Sequence, residues 1–168
     1  MTKALLGVIA LGAALFAANP VSAEPMASRT LILKPFVLTK LSDLSFGTII
    51  PTGSAEFVDI NPDTGNRTMS NEAMRVTSDE GFRARFASSG VKNNLVLIKL
   101  IGPRNLVNAA GNLLKVTRLE LDDNNKTVRQ LSSTSQIFFV GVGGEIYIRP
   151  NQEDGVYTGT FTLTATYL

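Results

Sequence analysis

Gly155-Val-Tyr-Thr-Gly-Thr-Phe-Thr-Leu-Thr-Ala-Thr-Tyr-Leu168 closes the chain, and its two-residue rhythm decides the fold class. Tyr157, Gly159, Phe161, Leu163, Ala165 and Tyr167 fall on one face, and Thr158, Thr160, Thr162, Thr164 and Thr166 on the other. Side chains alternate across a strand, so this is a half-buried β-strand with its aromatic and aliphatic face inward. β-branched threonine suits the outward face of a pleat.

The same rhythm recurs upstream. Phe82, Ala84 and Phe86 alternate with Arg83 and Arg85, which read as the wet face of a strand. Leu95–Ile101 is more continuously apolar and reads as a central strand. Leu44–Ile50, Ala55–Ile60 and Arg67–Val76 read as extended segments separated by turn residues. Leu113–Leu121 runs into Asp122-Asp-Asn-Asn125, which reads as a hairpin turn from which Thr127–Leu131 returns. Ile137–Val142 and Glu145–Arg149 read as a pair punctuated by Gly141, Gly143 and Gly144. Asn105–Asn112 has room for a short turn, and no segment carries a sustained helical period. About ten short strands with regular turns predict an all-β antiparallel sandwich.

The first 23 residues predict export. Lys3 is followed by an apolar run over Ala4–Ala18, then Asn19-Pro20, then Val21-Ser22-Ala23 ahead of Glu24. That is the pattern of a cleaved secretory signal peptide, too short and wrongly flanked for a stable span. Residues 24–168 are then left as one β-sandwich domain in the periplasm, on the cell surface or outside the cell. The 168-residue sequence contains no cysteine and no histidine. Stability must come from packing or partners, and the usual zinc ligands and the Cys–His and Ser–His–Asp catalytic pairings are missing. A formal net charge of +2, with acidic and basic residues interspersed, gives no field that favours nucleic acid or an anionic membrane. The expectation is a non-enzymatic protein without a cofactor.

Several motifs together resemble a known kind of protein. Leu44-Ser-Phe-Gly-Thr-Ile49, Val58-Asp-Ile-Asn-Pro-Asp-Thr-Gly-Asn-Arg67 and Val140-Gly-Val-Gly-Gly144 with Gly155-Val-Tyr-Thr-Gly-Thr-Phe161 look like a domain-of-unknown-function family of exported bacterial β proteins. The entry and exit motifs are also similar to spore-coat-U type pilins of archaic chaperone–usher systems. That resemblance implies an incomplete immunoglobulin-like sandwich completed by a strand from another subunit. It gives Gly155 and Tyr167 the role of the terminal-strand motif read by a chaperone, with Tyr157, Phe161 and Leu163 between them. The partners it implies are other copies of the chain and a periplasmic chaperone and usher. The bland reading is that Gly155 and Tyr167 only open and anchor a final core strand.

Leu31, Leu33, Phe36 and Leu38 alternate around Pro35 and fit either a strand donated to a neighbour or the chain's own first strand. Asp59-x-Asn61-x-Asp63-x-Gly65 spaces three oxygen ligands as calcium loops do, but lacks the bidentate glutamate, so a structural turn is the expectation. Asp122-Asp123 and Asp79-Glu80 sit in turn sequences and read as solvated. The functional expectation is a fimbria-like subunit or adhesin assembled by strand complementation. The alternative is a monomeric exported binding module with a self-complete fold.

Overall fold

The computed structural model describes residues 36–168. Residues 1–35, with the predicted signal peptide, Leu31 and Leu33, lie outside the described residues. Ten strands follow in order: β1 Val37–Ser42, β2 Glu56–Ile60, β3 Arg67–Met69, β4 Ala84–Ser89, β5 Leu95–Ile101, β6 Asn105–Val107, β7 Leu113–Leu121, β8 Val128–Gln130, β9 Ile137–Ile148 and β10 Thr162–Tyr167. All strand pairs are antiparallel, in a seven-stranded sheet and a three-stranded sheet ordered β10-β5-β8. The all-β sandwich read from the alternation is the architecture found.

β9 organises the large sheet. One of its edges takes β4 along Ile137–Val142 and then β2 along Gly144–Ile148. The opposite edge takes β7 along Val142–Tyr147. The glycine-rich stretch therefore does not separate two strands, as the sequence reading had it; Ile137–Ile148 is one strand of 12 residues. Its glycines are clearances. The Asn61–Asn66 turn folds over the strand so closely that a Cβ on Gly143 would lie 2.6 Å from Pro62 N and would also meet the Ile60 carbonyl. Only a residue without a side chain lets two backbones approach like this.

The second difference lies at Asp122–Asn125. Asp123, Asn124 and Asn125 all have left-handed φ values, 56°, 56° and 57°. Asn and Asp tolerate that region where most residues do not. Asn125 Oδ1 accepts the Leu121 N–H at 3.1 Å, and Asp122 is paired with Arg129 at 2.6 Å. The turn does not return the chain beside β7. It carries it across to the other sheet, where β8 pairs with β5.

The inward faces form two apolar clusters. The first joins the sheets and contains Ala84, Val96, Ile98, Leu121, Leu131, Val140 and Val142, with Phe36, Phe86, Phe138, Phe161, Leu163, Ala165 and Tyr167 packed on it. The second lies under β2, β7 and the far half of β9 and contains Val58, Met74, Leu114, Ile146 and Ile148. The odd residues of the last strand do face inward and its threonines outward. The inward side chains are only half-buried, because β10 is an edge strand with a single neighbour. Phe82, expected inside with Ala84 and Phe86, is 50% exposed.

Candidate functional site, a groove between two chain segments

The second cluster is covered by no laddered strand of the small sheet. Its cover is made of Phe46 and Ile49 from the segment after β1, Leu106 from β6, and Tyr157 from the segment before β10. A cavity of 710 Å³ remains between these pieces. Residues 43–51 form one wall, residues 152–161 the other, and Leu106, Leu114, Val116, Ile146 and Ile148 contribute to the apolar lining between them.

Backbone hydrogen bonds tie each wall to neighbouring segments. Ser45 exchanges two bonds with Phe82 at 2.9 and 2.8 Å, and Thr48 and Ile50 donate to Asp79 and Met74 at 3.0 Å each. On the other wall Thr158 exchanges bonds with Val107 at 3.0 and 2.9 Å, and Leu168 donates to Leu95 at 3.0 Å. In an antiparallel strand, alternate residues bond to opposite edges. The even positions from Thr158 to Thr166 thus serve β5 and β6. The backbone groups of Tyr157, Gly159, Phe161, Leu163, Ala165 and Tyr167 face the free edge. The segments run antiparallel to each other. Phe36 meets Tyr167 edge-on at 5.4 Å, and residues 43–51 lie opposite 152–161.

Leu44–Ile50, read as a strand, makes only isolated bridges, at Ser45 and Ile49. Arg67–Val76 is strand only as far as Met69, followed by a turn of 3-10 helix at Glu72–Met74. Buried polar side chains fix the walls instead. Arg67, 4% exposed, donates through Nη1 to the carbonyls of Phe46, Thr48 and Asp79 and through Nη2 to that of Val76, at 3.1–3.3 Å. Gln152 donates to Leu113 O at 3.2 Å and to the Tyr157 hydroxyl at 2.8 Å, and that hydroxyl donates to Glu153 O at 2.7 Å. Asn108 donates to Asp154 O at 3.1 Å, just before Gly155, whose φ is +136°. Sequence reasoning missed Arg67, Asn108 and Gln152. Nothing marks a buried arginine or glutamine in sequence when its partners are carbonyls distant along the chain.

Phe36 packs against Phe138 at 5.2 Å and against Tyr167, whose hydroxyl accepts the Val91 N–H at 2.9 Å. The residues singled out from the sequence thus take distinct places. Gly155 and Tyr157 stand on the open wall, Phe161 bridges the cavity and the first core, and Leu163 and Tyr167 pack on that core. Leu38 lies in β1, paired within the chain's own sheet opposite Ser88, and Phe36 directly precedes that strand.

The calcium-like spacing does not gather oxygens. Asn61 Oδ1 accepts the N–H groups of Asp63 and Thr64 at 2.8 and 2.9 Å, Asp59 binds Arg118 at 2.9 Å, and Asp63 accepts the Asp123 N–H at 2.8 Å. Among the described residues there is no group of three His, Cys, Asp or Glu able to hold a metal. Arg83 is not on a wet face; it lies against the Asn61–Asn66 turn and donates to the carbonyls of Pro62 and Asp63. Asp79 accepts the Thr48 hydroxyl at 2.7 Å, and Glu80 pairs with Arg75 at 3.0 Å. No described helix is long and apolar enough to cross a membrane.

No curated protein and no solved structure matches the chain. A family model described as a domain of unknown function, DUF4402, matches residues 36–167, which takes in both walls of the groove and all ten strands. The chain belongs to the DUF4402 family.

Proposed function

We propose that the protein is an exported structural subunit, fimbria-like or adhesin-like, that joins other copies by strand addition into the groove. The observation that carries this reading is the 710 Å³ cavity bounded by residues 43–51 and 152–161, with Leu106, Leu114, Val116, Ile146 and Ile148 in its lining. An extended segment laid there gains main-chain hydrogen bonds from the free edge of the last strand and side-chain pockets from the floor, the two sources of affinity and register in β-augmentation. Open edges and exposed apolar slots are association hazards that natural proteins normally cover. Since Val37–Ser42 is already used as β1, the segment left to donate is residues 24–35, which carries Leu31 and Leu33. In this reading a periplasmic chaperone shields the groove before assembly.

A second reading, a monomeric exported binding module, draws on the same pairing of β1 with β4, which makes the first strand the chain's own. The two separate in light scattering of residues 24–168 across a range of concentrations. The subunit reading expects concentration-dependent growth that Leu106→Lys, placing a charge in the groove lining, abolishes without changing the circular dichroism spectrum. A chain that stays monomeric with or without that charge supports the module.

A further inference from the structure

The wall formed by residues 152–161 contains Asp154-Gly155, the one Asp-Gly pair in the sequence, which has no Asn-Gly pair. In such a pair the backbone nitrogen of the second residue can close a five-membered ring on the side-chain carboxyl carbon of the first. Glycine favours that attack, because it carries no side chain to crowd the nitrogen and leaves the backbone a wide range of φ.

The structure singles out the same aspartate by a second criterion. Every other aspartate has a side-chain partner. Asp43 pairs with Lys40 at 2.7 Å and Asp123 with Lys126 at 3.8 Å. Asp59, Asp63, Asp79 and Asp122 are held by Arg118, the Asp123 N–H, the Thr48 hydroxyl and Arg129. Among the described residues the Asp154 carboxylate has no partner, and its only bond is made by its backbone carbonyl, which accepts from Asn108 Nδ2 at 3.1 Å. No backbone bond among the described residues uses the Gly155 N–H. Both residues are exposed and lie outside the strand ladders. The reacting carboxyl and amide are therefore unengaged and open to water. The fold also retains the glycine. Its φ is +136°, and a Cβ there would lie 3.0 Å from Asn108 Nδ2. A side chain that would hinder the attack is thus excluded by the packing of Asn108 on this wall.

We propose that Asp154-Gly155 is a self-modification site, at which the folded protein converts Asp154 to isoaspartate. Gly155 N bonds to Asp154 Cγ, and the carboxyl hydroxyl leaves as water with the amide proton, giving a cyclic succinimide. Water then opens the ring. Addition at Cγ restores aspartate. Addition at the backbone carbonyl carbon routes the main chain through Cβ and Cγ and gives isoaspartate. Water lost in the first step is regained in the second, and no oxidant, cofactor or enzyme takes part. The main chain gains one carbon at residue 154. The carbonyl oxygen that accepted from Asn108 becomes part of a free carboxylate on a side branch. The change therefore falls on the tie that holds this wall of the groove, whatever the groove accepts.

The test is to hold folded residues 24–168 for several weeks at body temperature and neutral pH. Isoaspartate is counted by methyl transfer from a protein isoaspartyl methyltransferase and located by electron-transfer fragmentation of the digested chain. The expected result is a signal that grows with time and is confined to residue 154, together with a minor species at that residue lighter by one water. Asp154→Glu, which keeps the charge but must close a larger and slower ring, should lose the signal while leaving the circular dichroism spectrum unchanged. Asp43→Glu, at an aspartate already paired, should leave it intact. The proposal is overturned if the folded chain gains no isoaspartate, whether or not the urea-unfolded chain does. It is also overturned if the signal spreads evenly over several aspartates, or if Asp154→Glu retains it.

Discussion

Gly143 shows how much of this fold is set by single positions. Its missing side chain makes room for Ile60 O and the Pro62 backbone. Backbone cannot swing aside as a flexible side chain can, so Gly143→Ala should cost about 2 kcal/mol or more, at the upper range of core overpacking. Urea unfolding checks this. An alanine variant as stable as the parent would mean that the Asn61–Asn66 turn does not sit on β9 as described. Gly111, where an added Cβ would meet nothing within 4 Å, is no equivalent control, because its φ of +86° strains any substitution. Gly53 has open space and no such φ, so Gly53→Ala should be close to neutral.

At the scale of elements, the sequence was legible where one face of a strand is apolar and the other is not. The threonine series set against Phe161, Leu163, Ala165 and Tyr167 gave both the strand and its inward face. It could not give the number of neighbours, and an edge position leaves those side chains half-buried. Turn chemistry was legible at Asp122–Asn125, but residues that tolerate left-handed φ serve a hairpin and a sheet crossing equally well. The glycines of β9 read as breaks because clearance and punctuation require the same residue. The groove walls were least legible. Side-chain clamps hold them in place of ladders, and those clamps leave no periodicity. Arg67 is the clearest instance. Removing it takes the donor from the carbonyls of Phe46 and Thr48 and cuts the tie between residues 46–48 and 76–79, and each unpaired polar group shielded from water is costly. Arg67→Met should therefore destabilise by about 3 kcal/mol, well above an ordinary surface change. Hydrogen exchange should show protection lost first at Ser45, Thr48 and Ile50, whose N–H groups tie this wall to Phe82, Asp79 and Met74. Uniform loss across both sheets would contradict the assignment of Arg67 to the wall.

At the scale of the molecule, the two sheets are unequal, seven strands against three. The small sheet packs on only one of the two clusters. The other is closed by loop side chains, and the groove follows from that mismatch. Its use for strand exchange is the central claim, and a chain without cysteine gives a background-free way to test it. The measurement is disulfide formation in an equimolar mixture of Leu31→Cys and Leu106→Cys copies of residues 24–168, read on non-reducing gels. Complementation between copies predicts a cross-linked dimer of one copy of each kind. A double variant carrying both cysteines should give linked chains of increasing length. If the mixture yields no such dimer and the double variant closes only within a single monomeric chain, the groove is filled by the protein's own segment and the account is wrong.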